Sequence, residues 1–272
     1  MALEYREWRP GAALAPWVER YWAIRGACGE PLPNRVLPDG CADVIVDLSA
    51  KPAAFAVGPM RTAAVVPLAA IVDLFGVRFR PGAALAFLDA PLDALADREV
   101  GLDELWGPLA QSLETVLAEV ADEERMRHAE RILRERLDAG ARGTGREAQA
   151  VAHAIALLRR ARGSAGVRDV AAALGVGERW LERAFDRHVG YGPKMLARVV
   201  RFQHAVALLD AGPPLSWSAL AYEAGFADQS HLVREFRALA GLTPGDFAAE
   251  RRDVGFVQYE DAAGAQDGAT FP

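Results

Sequence analysis

The sequence predicts an α+β protein: a β-rich, small barrel-like amino-terminal domain with two helices, followed by an all-α domain with two helix-turn-helix units. Three observations carry this expectation. Short β-branched runs bounded by turn residues occupy the first hundred positions. From Leu102 onward, apolar residues recur at three- and four-residue spacing. Beyond a glycine-rich break near residue 140, one pattern of residues occurs twice.

In chain order, Arg35-Val36-Leu37-Pro38-Asp39-Gly40 ends in a turn signal, and Asp43-Val44-Ile45-Val46-Asp47-Leu48 follows as a short strand. A second strand, Ile71–Phe79, is closed by Arg80-Pro81-Gly82, with more turns at Lys51-Pro52 and Gly58-Pro59. Leu105, Leu109, Leu113, Val116, Leu117 and Val120 then share one helix face. A second helix over 123–137 alternates its charges and keeps Met126, Ile132, Leu133 and Leu137 on its apolar side. The two stripes suit pairing with a second chain, and equally suit packing on the chain's own strands. Residues 139–146 read as a linker between a sensing and dimerisation domain over 1–138 and a helical domain over 147–252. An acidic tail, 253–272, follows.

After the linker the spacing predicts helices over 147–161, 167–174, 178–188, 193–210, 216–224, 229–239 and 244–252, separated by glycines. This block is internally duplicated. Ala171 and Gly175 match Ala221 and Gly225 at an offset of 50, and Leu181, Arg183, Phe185, Gly190 and Pro193 match Leu232, Arg234, Phe236, Gly241 and Pro244 at 51. One residue is therefore inserted in the second turn. Each copy has a small residue where two helices cross, a glycine where the chain leaves the first helix, and apolar residues that pin the second. The second helix's outward face is then free for a major groove. It offers Arg179, Glu182 and Arg183 in the first copy, and Gln229, Ser230, His231 and Arg234 in the second.

The net charge of −6 speaks, as a total, against a polyanionic partner. Its distribution says the opposite, because residues 159–201 alone carry 10 basic and 4 acidic groups. Two cysteines, Cys28 and Cys41, are too few for a disulfide framework or a zinc site. The start is too polar for a signal peptide, and the longest apolar stretch, 62–72, falls well short of the roughly 18 residues of a membrane span. We expect a cytoplasmic protein with no membrane association, catalytic residue, metal or cofactor.

Residues 147–252 resemble the DNA-binding domain of the AraC/XylS family of bacterial transcription regulators. The resemblance lies in Ala171 to Phe185, in Gly190-Tyr191-Gly192-Pro193, and most specifically in Ala221-Tyr222-Glu223-Ala224-Gly225-Phe226 running on through His231-Leu232 to Gly241-Leu242-Thr243-Pro244. Leu37-Pro38-Asp39-Gly40, Arg78-Phe79-Arg80-Pro81-Gly82 and Leu105-Trp106-Gly107 resemble, less specifically, a β-rich sensor domain found before this module. The resemblance implies that the helices near 179–188 and 229–238 enter successive major-groove segments of double-stranded DNA, with Arg183 and Arg234 reading bases or phosphates. It also implies a homodimer in many members, and RNA polymerase as a partner of those that activate.

Several residues admit two readings. Glu182 is repelled by phosphate or accepts from a cytosine amine. His231 reads a base or steadies its own helix. Trp8, Trp17, Tyr21 and Trp22 close the base of the β-domain or line a pocket for a small effector. Cys41, with no basic neighbour in sequence, reads as a buried inert thiol. The rival for the whole chain is a ligand-binding or enzymatic β-domain whose helical tail makes protein contacts.

Overall fold

The computed structural model describes residues 3–139, 144–212 and 216–253. Its amino-terminal part runs β1 (Glu4–Trp8), β2 (Val18–Ala27), β3 (Leu32–Val36), β4 (Ala42–Asp47), β5 (Ala53–Val57), β6 (Ala64–Leu68), β7 (Ile71–Phe79), α1 (Leu85–Leu88), α2 (Leu92–Leu95), β8 (Glu99–Gly101), α3 (Leu102–Trp106), α4 (Pro108–Ala118) and α5 (Asp122–Asp138). Six strands make one antiparallel sheet in the order β1-β2-β7-β4-β5-β8, while β3 and β6 pair as a separate ribbon.

The sheet is buried on both faces. Side chains alternate along a strand, so consecutive Tyr21 and Trp22 point opposite ways. Tyr21 joins the main core with Phe75 and Phe79, and Trp22 joins a smaller cluster with Ile24, Leu68 and Val72. Trp22 pairs in register with Gly76, and a Cβ on Gly76 would sit 2.0 Å from the Trp22 ring. The Trp22 indole donates to Asp43 (3.1 Å), which also receives Arg78. Gly76→Val should therefore expel the indole and lower stability by about 1–3 kcal/mol. A urea titration measures it, and an unchanged midpoint would contradict this packing.

Two sequence expectations shift. The helix face expected to run from Leu105 to Val120 is interrupted: α3 ends and α4 begins at Gly107, whose φ of 58° and ψ of −137° no helix accommodates, with Pro108 starting the next turn. The apolar stripes of α4 and α5 are spent on the chain's own sheet, through Leu113, Leu117, Ile132 and Leu133. Arg125 fixes that docking, donating to Leu117 O (2.8 Å) and to Asp73 of β7 (2.7 Å).

The helical part follows as α6 (Arg146–Arg160), α7 (Val167–Ala173), α8 (Glu178–Val189), α9 (Pro193–Asp210), α10 (Trp217–Glu223), α11 (Gln229–Ala240) and α12 (Pro244–Asp253). It has two cores. Val151, Leu158, Ala171, Leu181 and Phe185 form the first, and Phe202, Leu220, Ala221, Leu232 and Phe236 the second. α9 serves both, with Leu196 in the first and Phe202 and Val206 in the second. Residues 140–143 of the expected linker, and 254–272 of the tail, lie outside the described residues.

Candidate nucleic-acid interface

Each copy of the duplication folds as two helices around a glycine turn. Gly175 (φ 66°) and Gly225 (φ 80°) take the left-handed conformation that ends the first helix. The turns hold four residues in the first copy and five in the second, which is where the extra residue lies. It leaves α11 with a side-chain cap: Asp228 accepts from the His231 N–H (2.7 Å), whereas Gly177 caps α8 without a side chain. Leu181 and Phe185 pin α8, and Leu232 and Phe236 pin α11.

On the outward faces, Arg179, Arg183, Gln229, Ser230 and Arg234 are exposed. Among the described residues, Arg179, Arg183 and Arg234 make no ion pair. Arg187 extends the first face by one more turn, giving an exposed stripe Arg179, Arg183, Arg187 at four-residue spacing. The sequence reading missed Arg187, although the i, i+4 period contained it. Glu182 is half-buried beside this stripe, its carboxylate over Gly192 at the start of α9. Burial, with Asp186 and Glu178 nearby, raises its pKa above the ordinary carboxylate value. His231 is half-buried: Nδ1 accepts from the Ala227 N–H (3.3 Å), and the ring meets Phe226 edge-on at 5.3 Å. That acceptor role leaves the proton on Nε2, which stays a donor. Gln229 accepts from Ser218 of α10 (3.1 Å), and Arg198 of α9 grips Glu235 of α11 through two bonds of 3.0 and 3.1 Å.

The aromatic residues of the first domain do not make one site. Trp8, Trp17 and Tyr21 pack on the main core, and Trp22 lies on the opposite face of the sheet. Cys41 is buried, and burial with Asp39 and Glu19 nearby pushes its thiol up, away from reactivity. A cleft of about 650 Å³ lies instead between the two parts of the chain. Its walls include Asp89 and Asp93, Glu147 of α6, and Arg183, Asp186 and Arg187 of α8. Among the described residues no group of three or more His, Cys, Asp or Glu could hold a metal ion, and no helix is long and apolar enough to cross a membrane.

At the cleft's edge, His188 is buried and its Nε2 lies 3.0 Å from Glu147. Burial holds the imidazole below its ordinary pKa, against the pull of Glu147. The folded state then binds fewer protons than the unfolded one, so this contribution to stability is present above about pH 6.5 and is lost as pH falls through the depressed value. Melting temperature should drop between pH 7.5 and 5.5, and His188→Gln should flatten the drop. An equal drop in both proteins would remove His188 as the cause.

Two family descriptions match the chain. One, a domain of unknown function (DUF6597), covers residues 6–101, and the other, a helix-turn-helix domain, covers residues 170–250 and so both copies of the duplication. Residues 170–250 thus match a helix-turn-helix domain. A similar curated protein is the HTH-type transcriptional regulator GlxA of Rhizobium meliloti (strain 1021), 39% identical over 71 residues. The match takes in 26% of this chain and spans about a fifth (22%) of that relative's length. Among solved structures, the carboxy-terminal domain of AraT, a response regulator from Geobacillus stearothermophilus, is 21% identical, matching 45% of this chain and all of that one at a TM-score of 0.36. ToxT from Vibrio cholerae O395 is 10% identical over 91% of this chain and 96% of that one, at a TM-score of 0.43. The helix-turn-helix match here thus follows a β-rich part that matches the domain of unknown function.

Proposed function

We propose that this protein is a sequence-specific DNA-binding transcription regulator of the cytoplasm, placing α8 and α11 in successive major-groove segments of duplex DNA. One observation carries the reading: two equivalent helices, pinned inward by equivalent Leu and Phe residues, turn outward Arg183 and Arg234, which make no ion pair among the described residues. Arg179, Gln229, Ser230 and the Nε2 of His231 flank them as further base or phosphate contacts. The position of Glu182 against Gly192 supports a helix-positioning role over acceptance from a cytosine amine. The basic stripe on α8 supplies more of the sequence-independent affinity than the second copy does.

The β-rich domain modulates this activity through a small effector. The cleft supports that part, since its volume falls in the range of small-molecule sites and Arg183 belongs to its wall. With the stripes of α4 and α5 used internally, we assign both readers to one chain without a homodimer as a requirement. As an activator it would also meet RNA polymerase.

A salt titration tests the reading. Affinity for a duplex selected from random sequence should fall steeply with salt, by a slope of about −0.9 per phosphate neutralised. Absence of duplex binding at every salt concentration would favour the rival, a helical tail for protein contacts.

A further inference from the structure

We propose that the amino-terminal domain fixes the spacing between the two reading helices, with Arg35 and Arg61 as positioning residues. This rests on the DNA reading above. The last carbonyls of a helix have no partner within it and carry partial negative charge, so a guanidinium is a fitting partner. Arg61 Nη2 donates to Gly190 O (2.9 Å), the cap of α8, and Arg35 Nη1 donates to Ala240 O (2.9 Å), the last residue of α11. Two residues beyond Arg61, the Ala63 N–H donates to Leu239 O (2.7 Å). A single loop between β5 and β6 therefore touches the ends of both readers, at nearly equivalent places of the duplication.

These contacts are themselves held. Arg61 pairs with Asp97 (2.6 Å), and Arg35 grips Glu250 of α12 through bonds of 2.7 and 3.0 Å. Pro38 O accepts from Gln203 of α9 (2.6 Å), and Leu37 is buried in the second helical core. Two glycines let the parts approach. Gly40 (φ 85°) would place a Cβ 2.9 Å from Leu196, and Gly82 (φ 80°) one 2.8 Å from Ile155. Leu37-Pro38-Asp39-Gly40 and Arg80-Pro81-Gly82, which DNA reading leaves unused, thus form the seam between the domains. Facing major-groove segments recur about every 34 Å. Two helices braced from behind accept one separation of contacted segments, whereas two joined by α9 alone would tolerate several.

The test uses the full chain and duplexes selected by the wild type, with one or two base pairs inserted between the two contacted segments. The wild type should lose about tenfold or more on insertion, the cost of one reader's base contacts. Arg35→Ala/Arg61→Ala should lose less than about threefold on insertion, keep its base preference within each segment, and keep its melting temperature within a few degrees. Arg35→Lys/Arg61→Lys, which still donates to the two carbonyls, should restore most of the wild-type penalty. An insertion penalty in the alanine variant equal to the wild type's overturns the inference and leaves the DNA reading intact. A wild type that selects no duplex overturns both.

Discussion

Arg183→Ala and Arg234→Ala should each weaken binding to a selected duplex by about 1–3 kcal/mol, with discrimination relaxed at one base position per variant. Both side chains are exposed and make no ion pair among the described residues, so folding stability should stay within about 0.5 kcal/mol. The two losses should add, because the residues sit on helices packed in different cores. Fluorescence anisotropy at fixed salt reads the affinity, and a panel of single-base changes reads the discrimination. Wild-type affinity in both variants would remove α8 and α11 from the groove.

Leu37→Ala should have the larger effect on stability. Leu37 belongs by sequence to the β-rich domain, yet it is 4% exposed and packs among Phe202, Leu232 and Phe236. Truncation leaves a cavity in that core, at a cost of about 2–5 kcal/mol. The seam also depends on it, so calorimetry should show one thermal transition in the wild type and two in the variant. A loss below about 0.5 kcal/mol would mean that the two domains share no core.

The helical half was legible because its signals are local and repeated. A glycine with positive φ, a Leu and a Phe at helical spacing, and the same set again fifty residues on admit few other folds. The strands were harder. β2 carries Glu19 and Arg20, whose burial rests on partners far along the chain or on the neighbouring strand, among them Glu7, so its alternation does not read as apolar and polar. The aromatic run misled for a related reason. Tyr21 and Trp22 are neighbours in sequence and lie on opposite faces in the sheet. The break at Gly107 was overridden by apolar spacing that ran through it. Although Arg187 was missed, the exposure of Arg179, Arg183, Gln229, Ser230 and Arg234 was legible from helical spacing. The seam was not, since a leucine ahead of Pro-Asp-Gly looks like part of its own domain's interior.

That one helix, α9, lends Leu196 to one core and Phe202 and Val206 to the other has a consequence for how such a protein can change. The duplicated units have separate outward faces and a common fate in folding. A substitution that loosens one core withdraws support from the shared helix and so, on the DNA reading proposed above, should lower occupancy at the segment the other unit contacts. Loss of specificity can be local to a unit, but loss of order cannot. On that reading, new base preferences should be acquired one unit at a time at outward positions such as Arg179, Arg183, Gln229 and Arg234, while the interior must change in concert.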